Sequence, residues 1–352
     1  MRIGPIELAQ PFCQAGLAGY SDRAMRLVAR RRGCPYAVTE ALLDTIMLNG
    51  GEGLRRSIDI SGEDHPVAGQ IMGSEPETMS RAATILHGAG YDVIDLNFAC
   101  PVKKIKNKAR GGHMLLDAAR GIGILRAVRD ALPDAVLTVS LRRGFDDSAE
   151  SVDRLYQIIE TAWENGFAAA RVHARTVEQK YLGRARWPFL AEVKNRYPSR
   201  TILGSGDVFT ARDVLRMLRE TGVDCVWIAR GAIGNPWIFR DAAKLLKDPS
   251  AELEPATIAE QRDALTEHFA LAMQIHGEQL AGRRMRKMGI KYSRFHPESS
   301  QVKSEFINVR SLRDWTSVLE KWYDGDRAGV WPDATAADEV NDGAGATCEI
   351  GI

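Results

Sequence analysis

The sequence predicts an α/β protein: a (β/α)8 TIM barrel over residues 1–245, followed by a small helical C-terminal domain. Three observations predict it. Eight short apolar, strand-like runs recur between Pro11 and Ile228. Amphipathic segments of helical period separate most of them. Glycine or polar residues follow nearly every run, where such a barrel builds its active-site loops. An open sheet fits this alternation less well.

The expected strands, in order, are Pro11–Leu17, Ala37–Glu40, Val67–Met72, Val93–Asn97, Val136–Leu141, Ala169–His173, Thr201–Leu203 and Cys225–Ile228. Each is short and rich in β-branched or small apolar residues. Helical spacing marks Glu77–His87, Ala118–Ala131, Ser151–Asn165 and Ala211–Thr221 between them. Residues 246–260, with two prolines and several acids, read as a linker. Residues 261–325 form the expected helical domain, with one apolar helix pattern over Ile258–Arg286 and another over Leu312–Trp322. The Gly-, Ala- and Asp-rich stretch 326–352 reads as a disordered acidic tail.

At 352 residues, 45% hydrophobic and 26% charged, the chain can bury a large core. No apolar run is long enough to cross a bilayer, and Met1–Glu7 lacks a signal-peptide core. The five cysteines (Cys13, Cys34, Cys100, Cys225 and Cys348) are scattered without metal-ligand spacing. Reduced thiols in a cytoplasmic protein are expected, with no metal and no membrane partner. The net charge of +1 is uneven: from Asp326 onward there are six acids and one base, which leaves the remainder about +6. That excess is compatible with an anionic polymer as partner.

The chemistry-bearing residues fall at strand ends. Asp95-Leu-Asn-Phe-Ala-Cys-Pro101 delivers Asn97 and Cys100 to a strand's C-terminus, followed by the basic side chains Lys103, Lys104, Lys106, Lys108 and Arg110. Cys100 there could donate a proton, and the bases could hold phosphates. An inert buried thiol is the bland alternative. Glu40 ends the second strand, and Gln70 lies on the third. Ser140 and Arg142, two apart on the fifth, point the same way. His173 and Arg175 follow the sixth; His173 could bond a flavin or substrate carbonyl, and a satisfied core histidine is the competing reading. Ser205-Gly206-Asp207 and Ala229-Arg230-Gly231 follow the seventh and eighth strands. Paired glycine loops there let backbone amides approach a phosphate, unless they simply make tight turns. Arg283, Arg284, Arg286, Lys287, Lys291 and Arg294 form a basic run, with Tyr292, Phe295 and His296 available for stacking or hydrogen bonds. A solvated basic helix is the alternative.

In this order the motifs resemble the tRNA-dihydrouridine synthases, particularly their bacterial, FMN-dependent branch. The matching stretches are Ala18-Gly-Tyr-Ser-Asp-Arg23, Gln70-Ile-Met-Gly-Ser-Glu-Pro76, Asp95–Pro101, Lys108-Ala-Arg-Gly-Gly112, Val172–Gln179 with Tyr181 and Gly183, and Arg230-Gly-Ala-Ile-Gly-Asn-Pro-Trp237. The resemblance implies an FMN barrel, a helical tRNA-binding domain, and NADPH as reductant. Hydride would pass from the flavin to C6 of a uracil, and Cys100 would protonate C5. The implied cofactor shell is Gly16, Leu17, Ala18, Gln70, Ser140, His173, Ser205, Gly206, Asp207, Ala229, Arg230 and Gly231. Glu40, Asn97, Lys108, Arg142 and Arg175 would lie near the substrate. The lysines from Lys103 to Lys106, Arg110 and the basic run to Arg294 would meet RNA. A monomer is expected.

The chain departs from the family pattern at four places. Ser140 stands where the family usually has a lysine near the flavin, with Arg142 as a partial substitute. Gly16 replaces a usual proline, Ala99 a glycine and Ser205 an asparagine. Two other readings therefore stay open: an FMN-barrel oxidoreductase acting on a free pyrimidine or small enone, and a non-catalytic RNA-binding paralogue. Flavin content and salt-sensitive tRNA binding separate the three.

Overall fold

The computed structural model describes residues 1–101 and 109–332. Eight parallel strands close a ring: β1 (Phe12–Gln14), β2 (Ala37–Val38), β3 (Val67–Met72), β4 (Val93–Phe98), β5 (Leu137–Arg142), β6 (Ala169–His173), β7 (Thr201–Ser205) and β8 (Cys225–Ile228). Each pairs with the next in chain order, and β8 pairs with β1 to close the barrel. The expected strands are all present, three with the expected bounds and the others with an end shifted by one to three residues. A short strand, Leu42–Leu43, extends the pairing beside the end of β3. An antiparallel hairpin, Arg2–Ile3 with Ile6–Glu7, precedes β1; its Ile3 and Leu8 pack into the barrel interior.

Alternation along each strand sorts side chains to two cores. Ile94, Leu96 and Phe98 of β4 face the helices, while Val93 faces inward with Cys13, Tyr36, Ala68, Ala169, Leu203, Cys225 and Trp227. This apolar layer fills the lower barrel. By the same parity Asp95, Asn97, Ser140, Arg142, Arg171 and His173 point inward above it. The interior is therefore apolar at its base and polar toward the C-terminal mouth.

The outer helices are α1 (Arg23–Arg30), α2 (Pro76–Gly88), α3 (Ala118–Ala131), α4 (Ala149–Glu164), α5 (Trp187–Arg196), α6 (Ala211–Thr221) and α7 (Trp237–Lys247). Their starts follow local chemistry. Pro76 opens α2, and Thr210 with Asp213 forms a capping box on α6. Four further helices follow: α8 (Ile258–His276), α9 (Glu278–Tyr292), α10 (Ser299–Asn308) and α11 (Leu312–Trp322). The single helix expected over Ile258–Arg286 is broken. Gly277 sits at φ +75°, a conformation few side chains adopt, and its N–H caps α8 on Met273.

The helical region is fastened to the barrel by both apolar and charged contacts. Trp237 of α7 meets Tyr292 and Phe295 edge-on, at 5.9 and 5.6 Å. Glu267 of α8 pairs with Arg31 and Arg32 just beyond α1, each at 2.7 Å. The order continues past the expected start of the tail: the Arg327 carbonyl accepts from Ile258, and Val330 N–H donates to Phe295. The acidic stretch from residue 333 lies outside the described residues.

Candidate active site at the barrel mouth

The organising group is Asp95 of β4, fully buried at 0% exposure. Its carboxylate accepts from Thr138 Oγ1 at 2.6 Å, Ser140 Oγ at 2.7 Å and Gln70 Nε2 at 2.7 Å. Burial pushes its pKa up, against the pull of these donors and of the nearby Arg171 charge. Gln70 is held in turn: its backbone N–H donates to Thr39, and its Oε1 accepts from Asn97 Nδ2 at 2.7 Å. Asn97 Oδ1 then accepts the backbone N–H groups of Ala99 and Cys100, both at 3.0 Å. The Cys100 carbonyl takes Gly112 N–H at 2.9 Å. A continuous chain of bonds thus runs from the barrel floor to the backbone of Cys100, the partly exposed thiol at the rim.

Arg142 serves the same turn from β5. Its Nε donates to the Ala99 carbonyl at 2.8 Å, and its Nη1 to Thr176 and Lys180 at 2.8 and 2.7 Å. Burial lowers its pKa to about 10, so it stays cationic at neutral pH. These bonds weigh against the expectation that Arg142 substitutes for a fifth-strand lysine: its Nε and Nη1 are engaged by loop carbonyls. The cation that bonds Ser140 is Arg171 of β6, whose Nε donates to Ser140 Oγ at 3.0 Å.

The opposite side of the mouth is crowded with positive charge. His173 Nδ1 accepts the Arg175 N–H at 3.1 Å, which leaves Nε2 to carry the proton of the neutral ring. Burial, then Arg142, Arg171, Arg175 and Arg230, drive its pKa well below the ordinary value. Arg175 is 1% exposed; its Nη2 meets both Asp207 oxygens at 2.7 Å, and its buried Nη1 has no partner. Arg230 reaches the same carboxylate at 3.1 Å.

Gly206 and Gly231 line this side. Gly206 has φ +131°, and a Cβ there would lie 2.7 Å from Ala185 Cβ. A Cβ on Gly231 would overlap the Val208 carbonyl, and one on Gly16 the Thr39 carbonyl. The close strand approach at Gly16 gives a local reason for glycine there. Ser205 ends β7 and Ala229 follows β8, beside these glycines, and Leu17 and Ala18 follow β1.

The loop after β1 is tied to the helical region. Glu40 accepts the Gly19 N–H at 2.6 Å, and burial raises its pKa. Lys287 of α9 donates to the Gly19 carbonyl and lies 4.6 Å from the centre of the Tyr20 ring. Asp22, cap of α1, pairs with His276 at 2.8 Å and with Arg284 at 3.7 Å.

Three expectations about RNA contacts change. Arg110 is 7% exposed and pairs with Asp44 at 3.3 Å, so it braces the barrel rather than tracking a phosphate. Tyr292, Phe295 and His296 are buried in the helical core and offer no stacking face. Arg294 turns inward to the Ile233 carbonyl at 2.8 Å. Arg283 is exposed, while Arg286 and Lys291 are half-buried. Lys103, Lys104, Lys106 and Lys108 lie outside the described residues.

The match to known proteins covers the barrel and the helices beyond it. A family model described as "Dihydrouridine synthase (Dus)" spans residues 13–323. The chain belongs to the dihydrouridine synthase family. The tRNA-dihydrouridine synthase B of Xanthomonas campestris pv. campestris is 32% identical over 337 residues, covering 96% of this chain and 100% of that protein. The protein of the same name from Shewanella oneidensis is 30% identical, over 92% of this chain and 98% of its own. Among solved structures, histamine dehydrogenase from Rhizobium sp. 4-9 superposes with a TM-score of 0.53 and 15% identity, over 77% of this chain and 50% of that one. The 6-hydroxypseudooxynicotine amine oxidase of Pseudomonas geniculata N1 gives 0.54 and 13%, over 75% and 52%. The chain spans about half the length of those two enzymes, and at such identity the likeness concerns the fold.

Within this dihydrouridine synthase, sequence reasoning missed Asp95, Thr138 and Arg171 as inward-facing polar residues, and Trp227 of the apolar layer against which Arg171 packs. The signal was present in the strand parity. Asp95 is two residues before Asn97, and Arg171 two before His173, so each shares the inward face of a recognised site residue. Among the described residues, no helix is long and apolar enough to cross a membrane, and no His, Cys, Asp or Glu cluster is arranged to hold a metal ion.

Proposed function

We propose that the protein reduces uridines of tRNA to 5,6-dihydrouridine, using FMN in the barrel mouth and NADPH as reductant, as a cytoplasmic monomer. The observation that carries this reading is the bonded chain from Asp95 through Gln70 and Asn97 to the Cys100 backbone. It places a thiol at the rim of a polar, cation-rich barrel mouth.

The residues fit a phosphorylated flavin. Arg175, whose buried Nη1 has no partner, shares Asp207 with Arg230 next to Gly206, an arrangement suited to a phosphate. His173 offers a fixed N–H donor from Nε2, and Gln70 and Ser140 line the floor. The chemistry such a group supplies is hydride transfer from NADPH to C6 of the uracil.

The chain's own residues supply the rest. Asn97 and Arg142 hold the Cys100 turn in one place, so the proton is delivered from a fixed direction. The Cys100 Sγ–H proton goes to C5 as the hydride arrives at C6, and solvent returns a proton to the thiolate. A target uridine must turn out of its stack to enter the mouth, at an unstacking cost of a few kcal/mol that a loop nucleotide lowers. The exposed and half-buried bases of α9, together with the basic residues Lys103, Lys104, Lys106 and Lys108, are assigned the RNA backbone. The helical segment 261–325 is accordingly assigned to RNA binding.

The test is direct. The purified protein, supplied with FMN and NADPH, is incubated with tRNA lacking dihydrouridine, and the nucleosides are analysed. Dihydrouridine at defined positions is the expected product. Flavin oxidation by a free pyrimidine with none by tRNA, or a protein that takes up no flavin, would overturn the reading.

A further inference from the structure

Ser140 is bonded by a cation contributed from the neighbouring strand. In the register of the sheet, Ser140 of β5 lies opposite Arg171 of β6. Arg171 shares the inward face of His173 and sits one layer below it. Its guanidinium carbon lies 4.8 Å from the centre of the Trp227 ring on β8. Its Nε donates to Ser140 Oγ, which donates onward to Asp95. The terminal nitrogens, Nη1 and Nη2, make no hydrogen bond among the described residues. Arg171 is only 9% exposed, so its charge acts in a poorly screened site.

The other interior cations are spent differently. Arg142 binds three loop carbonyls, and Arg175 and Arg230 share Asp207. Asp95 does not cancel Arg171 by a direct contact; it lies beyond Ser140 and is already held by three neutral donors. Arg171 is thus a fixed guanidinium with an open edge toward the mouth, stacked on an indole and steered by a serine.

We infer that Arg171 is the cofactor-binding cation of this site, taking from β6 the place left by Ser140 on β5, with Trp227 and Ser140 holding it in position. The inference rests on the flavin reading above. A flavin gains negative charge at its pyrimidine edge on reduction. A guanidinium beside that edge therefore binds the reduced form more tightly than the oxidised form. A residue needed only for folding would affect both forms alike.

The experiment measures FMN dissociation constants for oxidised and anaerobically reduced flavin, with circular dichroism as the folding control. Arg171→Gln is expected to lower the reduced-to-oxidised affinity ratio at least tenfold, a fall of about 30 mV in the two-electron potential. Arg171→Lys should stay within about threefold of wild type, since it keeps the charge. The double variant Ser140→Lys/Arg171→Gln should restore the ratio by supplying the cation from the neighbouring strand. A ratio unchanged in Arg171→Gln, or a double variant no better than that single one, overturns the inference. Ser140→Lys alone is the arm that does not depend on removing Arg171. It should lower the melting temperature, because two buried cations then share one carboxylate. An unchanged or higher melting temperature would mean that no cation already occupied the site. A wild-type protein that binds no FMN overturns the flavin reading and this inference together; bound flavin with an unchanged ratio overturns the inference alone.

Discussion

The two sides of the barrel mouth differ in how completely their polar groups are satisfied. Along β3 to β5, Gln70, Asp95, Asn97, Thr138 and Ser140 bond one another and end on the backbone of Cys100. Across β6 to β8, His173 is ringed by arginines, and Arg175 keeps a buried nitrogen without a partner. The first side holds its shape before anything binds. The second has donors and charge left over, which is what an anion requires. Under the proposed function, geometry and charge fall to opposite walls.

Removing the thiol tests the end point of the first wall and carries the largest expected effect. Cys100→Ala should cut dihydrouridine formation by about 10²–10⁴-fold, the usual worth of a positioned acid. NADPH-driven flavin reduction should continue, because the second wall is untouched. Stopped-flow absorbance and nucleoside analysis read the two steps separately; normal product yield would remove Cys100 from its role. Asp95→Asn attacks the root of the same wall. The amide keeps one acceptor oxygen but sets its NH2 against a donor that the other oxygen had accepted, and Arg171 loses its nearest counter-charge. A loss of about 3 kcal/mol in denaturant unfolding is expected. Wild-type stability would show that Asp95 is not the hub.

The second wall is probed by charge and by pH. Arg230→Met should weaken FMN binding by about 10–100-fold, the worth of a hydrogen bond to a charged group. Riboflavin, which lacks the phosphate, should lose far less; equal losses for both would place Arg230 at the ring instead. His173 gives the pH arm. Its folded pKa is depressed, so below about pH 6.5 the unfolded chain binds a proton that the folded chain refuses. Stability is then full above that pH and falls as pH drops toward the lower folded value, by at most about 1.4 kcal/mol per pH unit. His173→Gln should flatten that slope in unfolding curves taken between pH 7 and 5. An unaltered slope would assign it to other groups, such as His268, whose burial lowers its pKa to about 4.

How much of this was legible in the sequence depended on range. The eight strands were visible because alternation and glycine punctuation are local signals, and Asn97 and Cys100 because they share one motif. Arg171 was legible only in part: Ala-Ala-Arg-Val-His places a charge on an inward face, but its link to Ser140 is a cross-strand contact. The burial of Tyr292 and Phe295 depends on Trp237, contributed by another part of the chain. Arg110 looked like a phosphate ligand because its partner Asp44 is remote in sequence. The break at Gly277 was hidden since apolar spacing runs through it, while the backbone does not.

The smallest predicted effect is the most specific to the comparison. Asn97 was expected to touch the substrate, yet its side-chain amide is committed to Gln70, Ala99 and Cys100. A residue that only positions another should alter the chemical step more than binding. Asn97→Ala frees two backbone N–H groups and loosens the Cys100 turn, without removing charge from the opposite wall. A fall in kcat of about tenfold is expected, near 1.4 kcal/mol, with KM for tRNA and FMN affinity changed less than about threefold. Asn97→Asp keeps an acceptor for the two N–H groups and should recover part of the rate, although it loses the donor to Gln70. If Asn97→Ala instead raised KM and left kcat alone, the amide would be a direct substrate contact, and the first wall would be doing what only the second is built to do.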